Sequence, residues 1–159
     1  MPEIAPFKSR TMIVEPQWID YNGHLNMAYY NVLFDRGADD LFAEFGMGPD
    51  YPKTRGFSTF SAEFHVCYLR ELKEGDRVHV TSQLLDMDEK RFHFFQHLHH
   101  EDGWLSATGE GLGLHIDMSG PRVAPAPRDV LARMQAVLEA HAALPRPERA
   151  GRRIGIVRR

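Results

Sequence analysis

The stretch that decides the fold is Trp18-Ile19-Asp20-Tyr21-Asn22-Gly23-His24-Leu25-Asn26-Met27-Ala28-Tyr29-Tyr30. Asn22-Gly23 is a turn dipeptide. Asn26 is a favoured helix N-cap, because its side-chain oxygen can accept from a free amide of the first turn. The spacing therefore predicts a strand end, a tight polar loop and a helix start. Asp20 then lies within a few residues of a helix N-terminus, where unpaired amides and the helix dipole favour negative charge. A carboxylate beside free N–H donors suits acyl chemistry. The carboxylate can move a proton or attack a carbonyl, and the amides can hold the oxyanion that forms.

Downstream of the loop, Tyr30, Phe34, Gly37, Ala38, Leu41, Phe42 and Phe45 make one stripe at helical period. A helix over 26–45 is predicted, with Asn31, Asp35, Arg36, Asp39, Asp40 and Glu44 largely off that stripe. Gly46 and Gly48-Pro49 stop it. Upstream, 7–14 reads as a strand ending before Glu15-Pro16. Beyond a loop over 49–55, Phe60, Ala62, Phe64, Val66 and Tyr68 alternate with polar neighbours, the pattern of a half-buried strand. Turns at Glu74-Gly75-Asp76, 86–90 and Asp102-Gly103 separate three more strands, ending near Met118. A proline-rich connector (121–127) leads to a second helix with Val130, Leu131, Met134, Val137, Leu138 and His141 on one face. The expectation is an α+β fold: one long helix followed by an antiparallel meander, with a C-terminal helix.

Gly109, Gly111 and Gly113 share a face of the last long strand. Such a stripe weakens a strand unless something approaches its backbone. Two occupants fit: the long helix with Gly37 turned inward, or a narrow ligand arm.

The chain has 159 residues, enough for one domain with a sizeable core. We expect that domain over 1–143 and an arginine-rich tail over 144–159. The tail holds six arginines against Glu148, a net +5, so the overall −3 leaves −8 on the rest. An acidic body with a basic tail does not fit a nucleic-acid-binding domain. It fits a domain whose tail reaches an anionic ligand. No run approaches a membrane span or a secretory leader, and Cys67 is the single cysteine, so a cytoplasmic, reducing setting is expected. His93, His97 and His99 share a strand face, but no Cys or carboxylate completes a recognisable ligand set, and no metal is expected. Cys67 reads as a small buried hydrophobe.

Asp20-Tyr-Asn-Gly-His-Leu-Asn-Met-Ala-Tyr-Tyr30 resembles the D-x-x-G-H-x-N-x-x-Y signature of hotdog-fold acyl-CoA thioesterases of the 4-hydroxybenzoyl-CoA thioesterase type. Glu63 to Asp76 resembles that family's second strand with its Gly-Asp turn. The resemblance implies a five- or six-stranded antiparallel sheet wrapped around the long helix. It also implies a homodimer or tetramer with active sites at the dimer interface, a coenzyme A thioester as substrate, and no cofactor. Residue by residue, it implies Asp20 as general base or nucleophile, Gly23 as the turn glycine, and the Met27 backbone amide as oxyanion donor. His24 and Asn26 match as loop-organising residues.

Three further stretches resemble the betainyl-CoA thioesterases of carnitine metabolism: Trp18 to Asn26, Asp88 to His93 and Ala107 to Asp117. A trimethylammonium acyl group is best held by aromatic faces. Trp18, Tyr21, Tyr29, Tyr30, Phe64 and Trp104 are available for it, although core packing is the ordinary role of such residues. Glu63 and His65 fall opposite the Phe/Val stripe, where they can line the dimer interface near the site, although a surface or interface salt link is the more ordinary role of such a pair. Arg152 and Arg153 can meet coenzyme A phosphates, which guanidinium forks suit, although a solvated or intersubunit tail is the more ordinary reading. A non-hydrolytic acyl-CoA-binding hotdog module is the competing reading. It has no need of a carboxylate at position 20.

Overall fold

The computed structural model describes residues 4–159, so the expected domain start at residues 1–3 lies outside the described residues. The elements in chain order are β1 (Phe7–Lys8), β2 (Met12–Ile13), a 3-10 turn (Pro16–Trp18), α1 (Met27–Glu44), α2 (Tyr51–Arg55), β3 (Phe57–Tyr68), β4 (Arg77–Met87), β5 (Arg91–His100), β6 (Leu105–Asp117), β7 (Arg122–Val123) and α3 (Arg128–His141). The sheet is antiparallel, in the order β1-β4-β5-β6-β3, with β2 also on β4 and β7 on β6. It therefore holds seven strands rather than five or six. Among the described residues, one of the extra strands comes from the predicted strand over 7–14, which divides into β1 and β2, and the other is β7. Ser9 Oγ donates to the Arg10 carbonyl and accepts from the Val80 amide, taking a ladder position and letting the chain step out between β1 and β2.

α1 begins where its cap requires. Asn26 has extended φ/ψ and its side chain accepts from the Ala28 amide at 2.9 Å. The predicted stripe is its buried face, and it feeds two apolar clusters. Tyr30, Leu33 and Phe34 pack with Val78, Val80 and Leu98; Ala38, Leu41 and Phe45 pack with Leu84, Phe92, Phe94, Val130 and Met134. Each fully buried Leu or Phe here contributes roughly 1.5–3 kcal/mol. α1 lies against β4 closely enough that a Cβ on Gly37 would sit 2.7 Å from Val80 Cβ.

The glycine stripe of β6 has another occupant than the helix backbone. A Cβ on Gly109, Gly111 or Gly113 would meet the rings of Phe64, Phe94 and Phe92 at 2.5, 2.4 and 2.1 Å. Rings from the flanking strands β3 and β5 cover the stripe, and Phe34 of α1 joins them over Gly109. The helix has no room there because the rings already fill the layer.

A register shift between Ser61 and Glu63 breaks the predicted single stripe of β3. Phe64, Val66 and Tyr68 face α1, whereas Phe60 pairs with Leu114 on the opposite phase and is exposed. The far edge of β3 carries no strand among the described residues. α2 occupies part of the predicted loop over 49–55, held by buried Tyr51, whose hydroxyl lies 2.7 Å from His115 Nε2. His115 Nδ1 faces the Ala124 carbonyl at 2.8 Å, so Nδ1 carries the proton and Nε2 accepts from tyrosine. Burial pushes the Tyr51 phenol up to about 12 and lowers His115 below its ordinary value.

Candidate functional site

The loop before α1 closes on itself. The Asp20 amide donates to the His24 carbonyl (3.1 Å), the Gly23 amide to the Asp20 carbonyl (3.0 Å), and Ile19 and Leu25 form a single antiparallel bridge. Gly23 sits at φ +78, a left-handed conformation that disfavours any side chain. The Leu25 amide donates to Leu72 and the Asn26 amide to Trp18, so the loop is tied to the body at both ends. Within it, Asp20 Oδ1 accepts from the Asn22 amide (2.8 Å), and Asp20 Oδ2 from Asn26 Nδ2 (3.5 Å). Asn26 thus caps the helix with one side-chain atom and reaches the carboxylate with the other. The Met27 amide, first of the helix, has no hydrogen-bond partner among the described residues. His24 Nδ1 is buried and also unpartnered.

From Met27 an open groove of about 1010 Å³ runs between α1 and β3, around the free edge of β3. Met27, Asn31, Asp35 and Asp39, each four residues apart, form its α1 wall; Phe42, Phe64, Val66 and Tyr68 form its apolar side; Glu63, His65, His93 and Glu110 lie on its outer side. Asp39 is held above its ordinary value, first by burial and then by the Asp35 charge. Gln96, wholly buried, lines the floor. Its Nε2 donates to the Phe34 carbonyl (3.1 Å) and Ser82 Oγ (3.3 Å), and its Oε1 has no partner among the described residues.

The predicted site residues divide into four groups. Asp20, Gly23, His24, Asn26 and Met27 come together in the loop and helix start, but of these only Met27 lines the groove. The aromatic candidates scatter. Trp18 is 5% exposed, with Tyr29 stacked on it at 5.9 Å and the Arg36 guanidinium over its ring at 5.2 Å. Tyr30 is buried, accepting from the Leu72 amide, and Tyr21 points to solvent at 97% exposure. Phe64 lies on the groove, while Trp104 is stacked between His100 and Arg70. Arg152 and Arg153 are exposed in a tail that folds back on the sheet's outer face. Glu63 lies on the groove.

Asn31, Asp35, Asp39, Tyr68 and Gln96 escaped the sequence reading. The fourfold spacing of Met27, Asn31, Asp35 and Asp39 marks one helix face and was readable. Sequence alone gave no sign that this face borders a groove rather than open solvent. His97 stacks on His99 at 5.9 Å and His99 on His79 at 5.0 Å. Among the described residues no group of three or more His, Cys, Asp or Glu is placed to hold a metal.

A long helix wrapped by an antiparallel sheet, with a carboxylate-bearing loop at its N-terminus, is the hotdog arrangement of thioester hydrolases. The thioesterase-like superfamily matches residues 14–134, and the chain belongs to that family. It is 44% identical over 144 residues to a betainyl-CoA thioesterase of Pseudomonas aeruginosa, covering 90% of this chain and 91% of that one. It is 38% identical over 143 residues to an L-carnitine dehydrogenase/betainyl-CoA thioesterase of Rhizobium meliloti, covering 89% of this chain but 29% of that larger protein. Among solved structures, a Staphylococcus aureus protein in complex with CoA superposes with a TM-score of 0.87 at 29% identity, over 96% of each chain. The enzyme class is thioester hydrolase.

Proposed function

We propose that the chain hydrolyses an acyl-CoA thioester and that betainyl-CoA is its substrate. The observation that carries this reading is the pairing of a carboxylate with a free helix-terminal amide: Asp20, tethered through Asn26, and the unbonded Met27 N–H at the head of the groove. In the proposed reaction the thioester carbonyl oxygen lies against the Met27 amide. Asp20 then acts either as general base on water or as nucleophile. In the first route water adds to the carbonyl, its proton passes to Asp20, and the tetrahedral oxyanion collapses to expel the coenzyme A thiolate. In the second the Asp20 carboxylate attacks the carbonyl and expels the coenzyme A thiolate, giving an acyl-aspartyl anhydride, which water cleaves to the free acid and the restored carboxylate. Either route needs oxyanion stabilisation, which a preorganised amide supplies. Gly23 permits the turn, and His24 and Asn26 hold the loop in shape. Coenzyme A is part of the substrate, and the reaction so written needs no cofactor.

The groove supports a cationic acyl group. Its α1 wall presents Asp35 and Asp39 with no ion-pair partner among the described residues, beside the faces of Phe42, Phe64 and Tyr68. Aromatic faces and carboxylates both favour a trimethylammonium head. The −8 body would repel the phosphates of coenzyme A, and Arg152 and Arg153 on the +5 tail are the proposed counterweight. We place the complete site at a homodimer interface, because Asp20 does not line the groove of one chain and β3 offers an unpaired edge beside it. A tetramer built from such dimers satisfies the same geometry.

The test is release of free coenzyme A thiol from acetyl-, benzoyl-, phenylacetyl-, medium-chain and betainyl-CoA. The reading expects betainyl-CoA to be turned over best. Preference for a neutral acyl group would retain the chemistry and remove the cationic substrate. Binding without hydrolysis of any ester would favour the non-hydrolytic module.

A further inference from the structure

The chain beyond α3 is a strap rather than a loose end. Gln83 Nε2 donates to the Pro145 carbonyl at 3.4 Å, Pro147 is buried, and two successive turns follow, Ala150 N–H to Pro147 and Arg152 N–H to Arg149. At Gly151, φ +74, the backbone turns its amide onto the Glu110 carboxylate, 2.8 and 3.1 Å from its two oxygens. Glu110 stands in the middle of β6 with its side chain 16% exposed, and His93 Nε2 donates to it at 2.7 Å. A mostly buried carboxylate is costly unless its oxygens are satisfied. Here one amide of the strap and one imidazole satisfy them. Three residues beyond Gly151, Ile154 borders the groove, so Arg152 and Arg153 occupy the short span between the anchor and the groove's mouth.

We propose that Glu110, oriented by His93, is a positioning residue: it pins Gly151 so that Arg152 and Arg153 are held as a clamp for the phosphates of coenzyme A, the 3′-phosphate among them. This rests on the acyl-CoA reading above and adds to it the device that sets coenzyme A affinity. Arginines on a free tail would lose side-chain and backbone freedom on binding. The two turns and the Glu110 anchor spend the backbone part beforehand, which is how preorganisation raises affinity.

The test is calorimetric titration of the full chain with coenzyme A and with 3′-dephospho-coenzyme A, alongside steady-state hydrolysis. Arg152→Ala/Arg153→Ala is expected to weaken coenzyme A binding at least tenfold and 3′-dephospho-coenzyme A binding by clearly less. Glu110→Ala is expected to reproduce that pattern, raising KM with kcat retained. Glu110→Gln keeps one carbonyl oxygen for the Gly151 amide and should recover most of the affinity. Unaltered coenzyme A binding in Glu110→Ala, or equal weakening toward both probes in the arginine variant, overturns the proposal. The arginine variant alters only exposed side chains, so it stays informative if Glu110→Ala fails to fold. A parent that binds coenzyme A but hydrolyses nothing would sink the hydrolase reading and spare the clamp; a parent that binds no coenzyme A would sink both.

Discussion

Asn26 Nδ2 reaches Asp20 Oδ2 at 3.5 Å while Oδ1 of the same side chain caps α1 on the Ala28 amide at 2.9 Å. One residue therefore fixes both where the helix starts and where the carboxylate stands relative to it. The two duties are separable. Asn26→Ala should cost about 1 kcal/mol of stability, the usual worth of an N-cap. Asn26→Ser keeps a capping oxygen and should stay within a few tenths of a kcal/mol of the parent, yet it is too short to reach Asp20. Both should lower kcat. Denaturant melts and thiol-release rates on the same two variants check this; full activity in either would separate Asn26 from the chemistry.

Five histidines are held below their ordinary value of 6.5: His79, His97, His99, His115 and His141. Burial is the first cause in each, and His79 and His97 also feel the His99 charge. His141 Nδ1 accepts from the Leu84 amide at 2.9 Å, where β4 and β5 shift register. A histidine whose folded value is lowered leaves the unfolded chain binding more protons below pH 6.5. Its contribution to stability is thus full above about pH 6.5 and is lost as pH falls. The melting temperature should fall from pH 7 toward pH 5, and His141→Gln should flatten part of that slope.

Gly113 has no room for a methyl group, since its Cβ would sit 2.1 Å from Phe92. Gly113→Ala should destabilise the fold by about 1–3 kcal/mol, the usual cost of overpacking. Adding Phe92→Leu should return part of it, and a double-mutant cycle reads the coupling directly. Simple additivity of the two changes would mean that the ring is not what the glycine accommodates.

Asp35 and Asp39 lie one helical turn apart with like charges, an arrangement that costs a few tenths of a kcal/mol in a helix. Asp35→Asn and Asp39→Asn should therefore leave stability unchanged or slightly improved. Each should lower kcat/KM for betainyl-CoA several-fold, in line with about 1 kcal/mol for a charge pair near 4 Å in water. Hydrolysis of a neutral ester such as acetyl-CoA should be nearly unaffected. Parallel losses on both esters would assign these carboxylates a role other than reading charge.

Much of this was legible in the chain itself. The Asn26 cap, the α1 stripe and the turns at Gly75 and Gly103 are local devices, and the structure places them where local chemistry puts them. The illegible parts are those decided at long range. Whether the Trp18 ring is free depends on Tyr29 and Arg36 packing against it. The strand expected over 7–14 divides because Ser9 meets Val80, seventy-one residues away. The extra residue in β3 shifts Phe60 off the stripe it shares in sequence with Phe64. Nothing in the order of residues in the arginine tail shows that its backbone is anchored at Gly151 on Glu110, forty-one residues earlier in the chain.

The most direct measurement is the hydrolysis rate of Asp20→Asn beside the parent on betainyl-CoA, with a thermal melt of each. Asparagine keeps the shape and an acceptor oxygen for the Asn22 amide but can neither take a proton nor form an anhydride. The account predicts an unchanged melt and a loss of at least a hundredfold in kcat, the scale of a removed general base. A folded Asp20→Asn protein that hydrolyses betainyl-CoA at the parent's rate would contradict it.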